Sequence, residues 1–191
     1  MSMEQGKSLA GIGALLLVIG TFVPFLSIVG FILMMIGLKN LADHYNEKGI
    51  FNNALYGIIF GIVGAAAAAV IIIAVVFGGS FLGFAFAPSG DITGNFMALF
   101  GGIAIALVVA FIFYILMAIY LRKSFNALAN KTGINMFRTA GLLLLIGAIL
   151  TIILIGLILI FVAWILLTVG FFSMSSTQPS PAPAPAQTVT A

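Results

Sequence analysis

The chain has 191 residues, 63% of them hydrophobic and only 6% charged, where an ordinary soluble domain is about 25% charged. So few charges cannot coat a water-facing surface, and the apolar runs are apolar on every side, as expected where lipid is the solvent. A net charge of +3 from seven scattered cations lacks the dense basic face that nucleic-acid binding needs, and the lack of cysteine removes disulfides, thiolate nucleophiles and thiolate metal sites.

Four apolar blocks follow one another at residues 9–38, 54–77, 96–121 and 140–172. Lys7 ahead of the first block suggests a signal peptide, but the apolar character runs past Pro24 to Leu38 with no small-residue cleavage site, so a retained membrane segment is expected. As one helix this block would run about 45 Å, more than common tilts absorb. Pro24 would cost a continuous helix a hydrogen bond and clash with the preceding turn. The first block is therefore expected to break near 22–24. Its first half-helix spans 8–22, and its second reaches through Lys39 to Ala42, with the lysine snorkelling to the interface.

The second and third blocks each read as a single span of roughly 36 to 39 Å, enough for a hydrocarbon core of about 30 Å. Residues 78–95 join them through several glycines, Pro88 and the lone charge Asp91; Phe81, Phe84 and Phe86 suit a compact loop on the membrane surface. The last block has no proline. Its break is expected around Gly147, Thr151 and Gly156, on length and on likeness to the first block. The tail 173–191, with Pro179, Pro181, Pro183 and Pro185 among small residues, is expected to be extended and disordered. The expected architecture is an all-α, polytopic transmembrane helical bundle over residues 1–172. It has about six membrane segments, two long spans plus two short helical hairpins that either cross thinly or re-enter. Both linkers and both ends of the bundle then share one side with every lysine and arginine, which the positive-inside rule makes cytoplasmic.

The two polar linkers share a design. Leu41-Ala42 leads through Asp43 to Lys48 into Gly49-Ile50 and Asn52, and Leu128-Ala129 leads through Asn130 to Thr132 into Gly133-Ile134 and Asn135. Each reads as a helix stop followed by a start, with glycine in the left-handed cap position, isoleucine making the accompanying apolar contact, and asparagine capping the next helix. Ala10-Gly11 and Ala140-Gly141, each before a leucine run, add a weaker likeness. An internal duplication is one source of these similarities; the shared composition of membrane helices is the other.

Three stretches together resemble a known family. Gly11-Ile12-Gly13 opens the chain. Ile36-Gly37-Leu38-Lys39-Asn40-Leu41-Ala42 runs into Tyr45-Asn46 and Ile50-Phe51-Asn52-Asn53-Ala54, and Phe137-Arg138-Thr139-Ala140-Gly141 precedes the last block. The pattern resembles the archaeal integral membrane proteins known as domain of unknown function 996, over nearly everything except the tail. The resemblance implies a multi-pass membrane protein and brings no activity or catalytic residues with it.

Asp43, His44 and Glu47 form the one cluster of titratable side chains. A metal site there would have to draw on a single histidine and the few carboxylates Glu4, Asp43, Glu47 and Asp91, so a solvated linker is expected and no cofactor or metal is assigned. No ionisable residue falls inside a predicted span, which argues against an ion-coupled carrier, although broken helices can bind ions through carbonyls alone. Thr21, Ser27 and Thr151 have no titratable neighbour in sequence, Ser173, Ser175 and Ser176 lie in the tail, and Gly78-Gly79 and Gly101-Gly102 lack a phosphate-loop pattern, so no catalytic residue is assigned. Gly57 and Gly61 make a G-x-x-x-G, for which packing within one bundle is favoured over a homo-oligomer seam. Tyr45, Tyr56 and Tyr120 suit an interfacial belt. The expected role is a non-catalytic accessory, scaffold or lipid-organising component whose partners are membrane lipids and, beyond them, a second copy or another membrane protein. A channel or uncoupled small-solute carrier is the alternative.

Overall fold

A computed structural model describes residues 3–77 and 92–174, and its regular secondary structure is entirely helical among them. Most of the expected loop at 78–95 and nearly all of the tail lie outside the described residues. The helices are α1 (Met3–Gly20), α2 (Pro24–His44), α3 (Lys48–Phe77), α4 (Ile92–Thr132), α5 (Asn135–Leu150) and α6 (Ile155–Phe172), with a 3-10 turn at Thr151–Ile153 between the last two. Five of them, α2 to α6, are long and apolar enough to cross a membrane.

Each helix packs on the next in the chain, and α1 closes onto α6, so the six form a ring of three antiparallel hairpins. Glycines set the spacing inside the hairpins. In the first, Gly13 sits against the backbone of Gly30 and Met34, and Gly37 against that of Ala10; in the second, Gly57 and Gly61 meet Met117 and Leu121 of α4. The expected packing role of Gly57 and Gly61 within one bundle is what the structure shows. Close approach of this kind supplies dispersion contacts where lipid removes the hydrophobic drive for helix association.

The first hairpin breaks where Pro24 requires. Val23 is extended (φ −127, ψ 91), as steric conflict with a following proline dictates, and Pro24 takes the first turn of α2 where its missing N–H costs nothing. The second short hairpin, between α5 and α6, turns with no proline. Thr151 Oγ1 donates to the Gly147 carbonyl at 2.7 Å, Leu154 adopts a left-handed conformation (φ 62), and Gly156 lies directly on the Gly147 carbonyl. A left-handed leucine is costly, so the tight Gly147–Gly156 crossing holds it in place; nothing in the residue type announces it.

The linkers correct two expectations. At the end of α2 the left-handed residue is Asn46 (φ 48), not Gly49, which already belongs to α3. The Glu47 amide bonds the Ala42 carbonyl at 2.9 Å and the Asn46 amide the Asp43 carbonyl at 3.3 Å, the paired bonds of a Schellman cap with asparagine in the glycine position. At the end of α4, Gly133 is left-handed as expected (φ 72). Neither Asn52 nor Asn135 caps a helix. Asn52 lies inside α3 and Asn135 is the first residue of α5, preceded by extended Ile134, whose amide is satisfied by Thr132 Oγ1 at 3.3 Å.

The hairpins differ in depth. Thr21 and Ser27, at the first tip, border the same cavity as Tyr114, and Thr151 and Ile152, at the other short tip, border the same cavity as Leu107. From Leu107, α4 runs on to Ile92, about 22 Å farther. The two short hairpins therefore stop well short of the long one.

Candidate functional site

All seven cations gather at the end of the ring opposite the short tips. That end is solid. Leu38, Leu41, Phe125, Leu128, Phe137 and Phe171 are wholly buried there in one cluster to which all six helices contribute. Ala10, Ala54 and Ala140, each early in its helix, are wholly buried too. Polar ties finish the seal. Ser124 Oγ donates to the Ile50 carbonyl at 2.5 Å, Lys7 Nζ to the Met174 carbonyl at 3.1 Å, and Arg138 to Asn130 Oδ1 at 2.8 Å.

The acidic linker residues do not converge. Asp43 and His44 are exposed, His44 stands edge-on to Tyr45, and Glu47 turns to Lys131 at 3.4 Å. Among the described residues no three His, Asp or Glu side chains could hold one metal ion. Half-burial pushes the Tyr45 phenol above its usual range, and its hydroxyl lies 3.9 Å from Met3 Sδ. Tyr56, Tyr120 and Phe60 form a ladder on the outer face of α3 and α4, with Lys123 Nζ 4.9 Å from the Tyr120 ring centre. That arrangement suits a membrane interface, where a ring sits among headgroups and a lysine reaches out beyond it.

Two cavities lie on the other side of the plug. The larger, about 1250 Å³, is a trough between the first hairpin and the α3–α4 pair, open along its side. On α2 its wall is Ile28, Ile32 and Ile36 with Phe31, Met35 and Lys39; on α3 it is Phe51, Leu55, Ile58, Ile62 and Ala65. These are steps of three and four residues, one stripe per helix. Tyr114 and Met117 of α4 form the floor, and Thr151 and Ile152 close the deep end. The trough lies where α2 and α3 pack on each other far less than the helices within each hairpin do.

The smaller cavity, about 260 Å³, lies inside the ring between the plug and the short tips. It is lined in part by Thr21, Ser27, Tyr114 and Trp164, and it shares Phe31, Tyr114 and Met117 with the trough. Phe31 packs edge-on against Trp164 with ring centres 5.8 Å apart, and since Trp164 lines the chamber alone, Phe31 stands between it and the trough. The Thr21 hydroxyl is turned to the Leu17 carbonyl at 3.3 Å. The chamber's lining includes the hydroxyl-bearing side chains Thr21, Ser27 and Tyr114 and the indole of Trp164 among apolar ones.

Sequence reading named Thr21, Ser27 and Thr151 only as isolated hydroxyls and missed the trough altogether. On a helix that is apolar all round, periodicity cannot single out the face that lines a cavity. Lys39, expected to snorkel, was the one usable signal.

A family model described as a protein of unknown function, DUF996, matches residues 26–165. An uncharacterised protein of Methanocaldococcus jannaschii, MJ1644, is 34% identical over 178 residues, covering 91% of this chain and 94% of the relative. No solved structure matches. The match spans α2 through most of α6, and with the near full-length relative it shows that the chain belongs to the DUF996 family.

Proposed function

We propose that this protein is a non-catalytic component of the membrane, an accessory or lipid-organising protein, with its basic end in the cytoplasm. The observation that carries this reading is the plug. Six large side chains with no exposed surface fill the basic end of the ring, and a pathway along the ring axis would have to displace them. The scattered titratable groups support a role without catalysis. The inner chamber favours a second reading, a channel or uncoupled carrier for a small neutral solute, because its hydroxyls sit at the tips of broken helices. Flux separates the two. Proteoliposomes containing the full chain are expected to shrink and reswell in a small-polyol gradient no faster than empty vesicles; a protein-dependent rate would establish the second reading.

The orientation is open to direct labelling, since the chain has no cysteine. Single cysteines replacing Ser2, Asn46, Ser89, Lys131 and Ser180 are expected to react with an impermeant thiol reagent in intact cells at position 89 alone. Reaction at positions 2 and 180 would instead reject the hairpins in favour of four single spans, because a hairpin returns the chain to the side it started from and a single span does not.

A further inference from the structure

We infer that the trough between α2 and the α3–α4 pair is a binding site for one anionic phospholipid, its hydrocarbon chain laid along the trough and its headgroup held by Lys39. The site takes its shape from three helical stripes. From Ile28 to Lys39 the α2 wall rises about 17 Å, and from Phe51 to Ala65 the α3 wall about 21 Å. Half of a hydrocarbon core of about 30 Å is roughly 15 Å, so the trough accommodates the chain region of one leaflet and little more. Its volume of about 1250 Å³ exceeds that of an ordinary small-ligand pocket, about 300 to 1,000 Å³. Extended shape, apolar walls and a lateral opening together fit a chain entering from the bilayer.

Charge decides the headgroup. Lys39 is the one charged residue lining the trough, it stands at the end nearest the basic face of the ring, and it forms no ion pair among the described residues. Its position one to two turns before the end of α2 puts the ammonium where the phosphate of a trough-bound lipid would lie, while its aliphatic stem continues the apolar wall. Lysine at a membrane surface favours an anionic lipid over a zwitterionic one by about fivefold. Phe31 separates the bound chain from Trp164, so the lipid would rest one ring away from the inner chamber.

The molecule carries its own reporter. Trp164 is the chain's single tryptophan, it is 8% exposed, and its ring contacts the Phe31 wall at a centre distance of 5.8 Å. In phosphatidylcholine nanodiscs, phosphatidylglycerol brominated on its chains is expected to quench Trp164 at about a fivefold lower mole fraction than brominated phosphatidylcholine. Lys39→Glu is expected to abolish that preference and Lys39→Arg to keep it; Lys39 is exposed, so neither change disturbs packing. Filling the trough with Ile32→Phe and Ala65→Phe is expected to weaken quenching by both lipids. Equal quenching by the two lipids that Lys39→Glu leaves unchanged would overturn the inference, showing bulk lipid alone. Absence of quenching by either, in particles holding two copies of the chain, would overturn it in favour of a trough covered by protein. This lipid site goes beyond the closed-ring reading, and the two fail separately: solute flux would refute the closed ring and leave the quenching result standing.

Discussion

Replacing Gly37 with leucine is expected to destabilise the protein by at least about 3 kcal/mol, the upper part of the range for overpacking, and to lower its melting temperature in detergent by roughly 6 to 12 °C. A Cβ at Gly37 would fall on the backbone of Ala10, and one at Gly13 would stand 2.5 Å from the Met34 nitrogen. Backbone cannot swing aside as a side chain does, so α1 and α2 would have to separate along their length. Gly61 offers the graded comparison. There the nearest atom is Met117 Sδ at 2.7 Å, the far part of a flexible thioether, and Gly61→Ala is expected to shift the melting temperature by no more than about 3 °C. Gly101, with nothing within 4 Å of a built Cβ, should accept leucine without loss.

Phe137→Ala is expected to cost about 3 to 5 kcal/mol, the range for emptying a buried phenylalanine site. Phe137 has no exposed surface, its ring lies 4.9 Å from that of Phe171, and it covers Gly170 so closely that an added Cβ would stand 3.0 Å from the ring. Removing it unseats α5 from α6 at the basic end. Hydrogen exchange should then rise in residues 135–141 and 167–172 before it rises at the tips. Phe100, 67% exposed on the outside of α4, serves as the control; its alanine variant should melt within about 1 °C of the parent, as expected of a surface substitution.

Much of this arrangement could be read from the residues because proline and length are blunt signals. Pro24 fixed the first break to within a residue or two, and the excess length of block 140–172 called for a second. Gly133 took its left-handed place because it follows the last residue of α4 and glycine adopts that conformation without strain. Asn46 took the same role in the other linker against the nearby Gly49, since the cap forms where the helix ends and Tyr45-Asn46 reaches that point first. Leu154 was beyond reach of sequence. Its left-handed backbone follows from Gly147 and Gly156 crossing at contact, a property of two helices and not of one residue. The cavities were hidden for a related reason. Ile32 facing the trough and Ile59 facing outward are the same residue type in the same apolar surroundings, and only the space left between packed helices tells them apart.

The ring has a consequence for how the chain is made. Five of its six helix contacts join neighbours in the chain, so each hairpin can be completed as it leaves the ribosome, with its backbone already satisfied before lipid surrounds it. Such local pairing is quick. The sixth contact, α1 against α6, spans the whole sequence, and with it comes the bond from Lys7 to the Met174 carbonyl. Until α6 has been synthesised, the first hairpin waits in the membrane with one flank uncovered, the glycine-bearing flank where Gly11 will meet Phe172. Closure of the ring is thus the last event of assembly, and a newborn chain halted before α6 should present that flank to whatever insertion machinery or chaperone attends it.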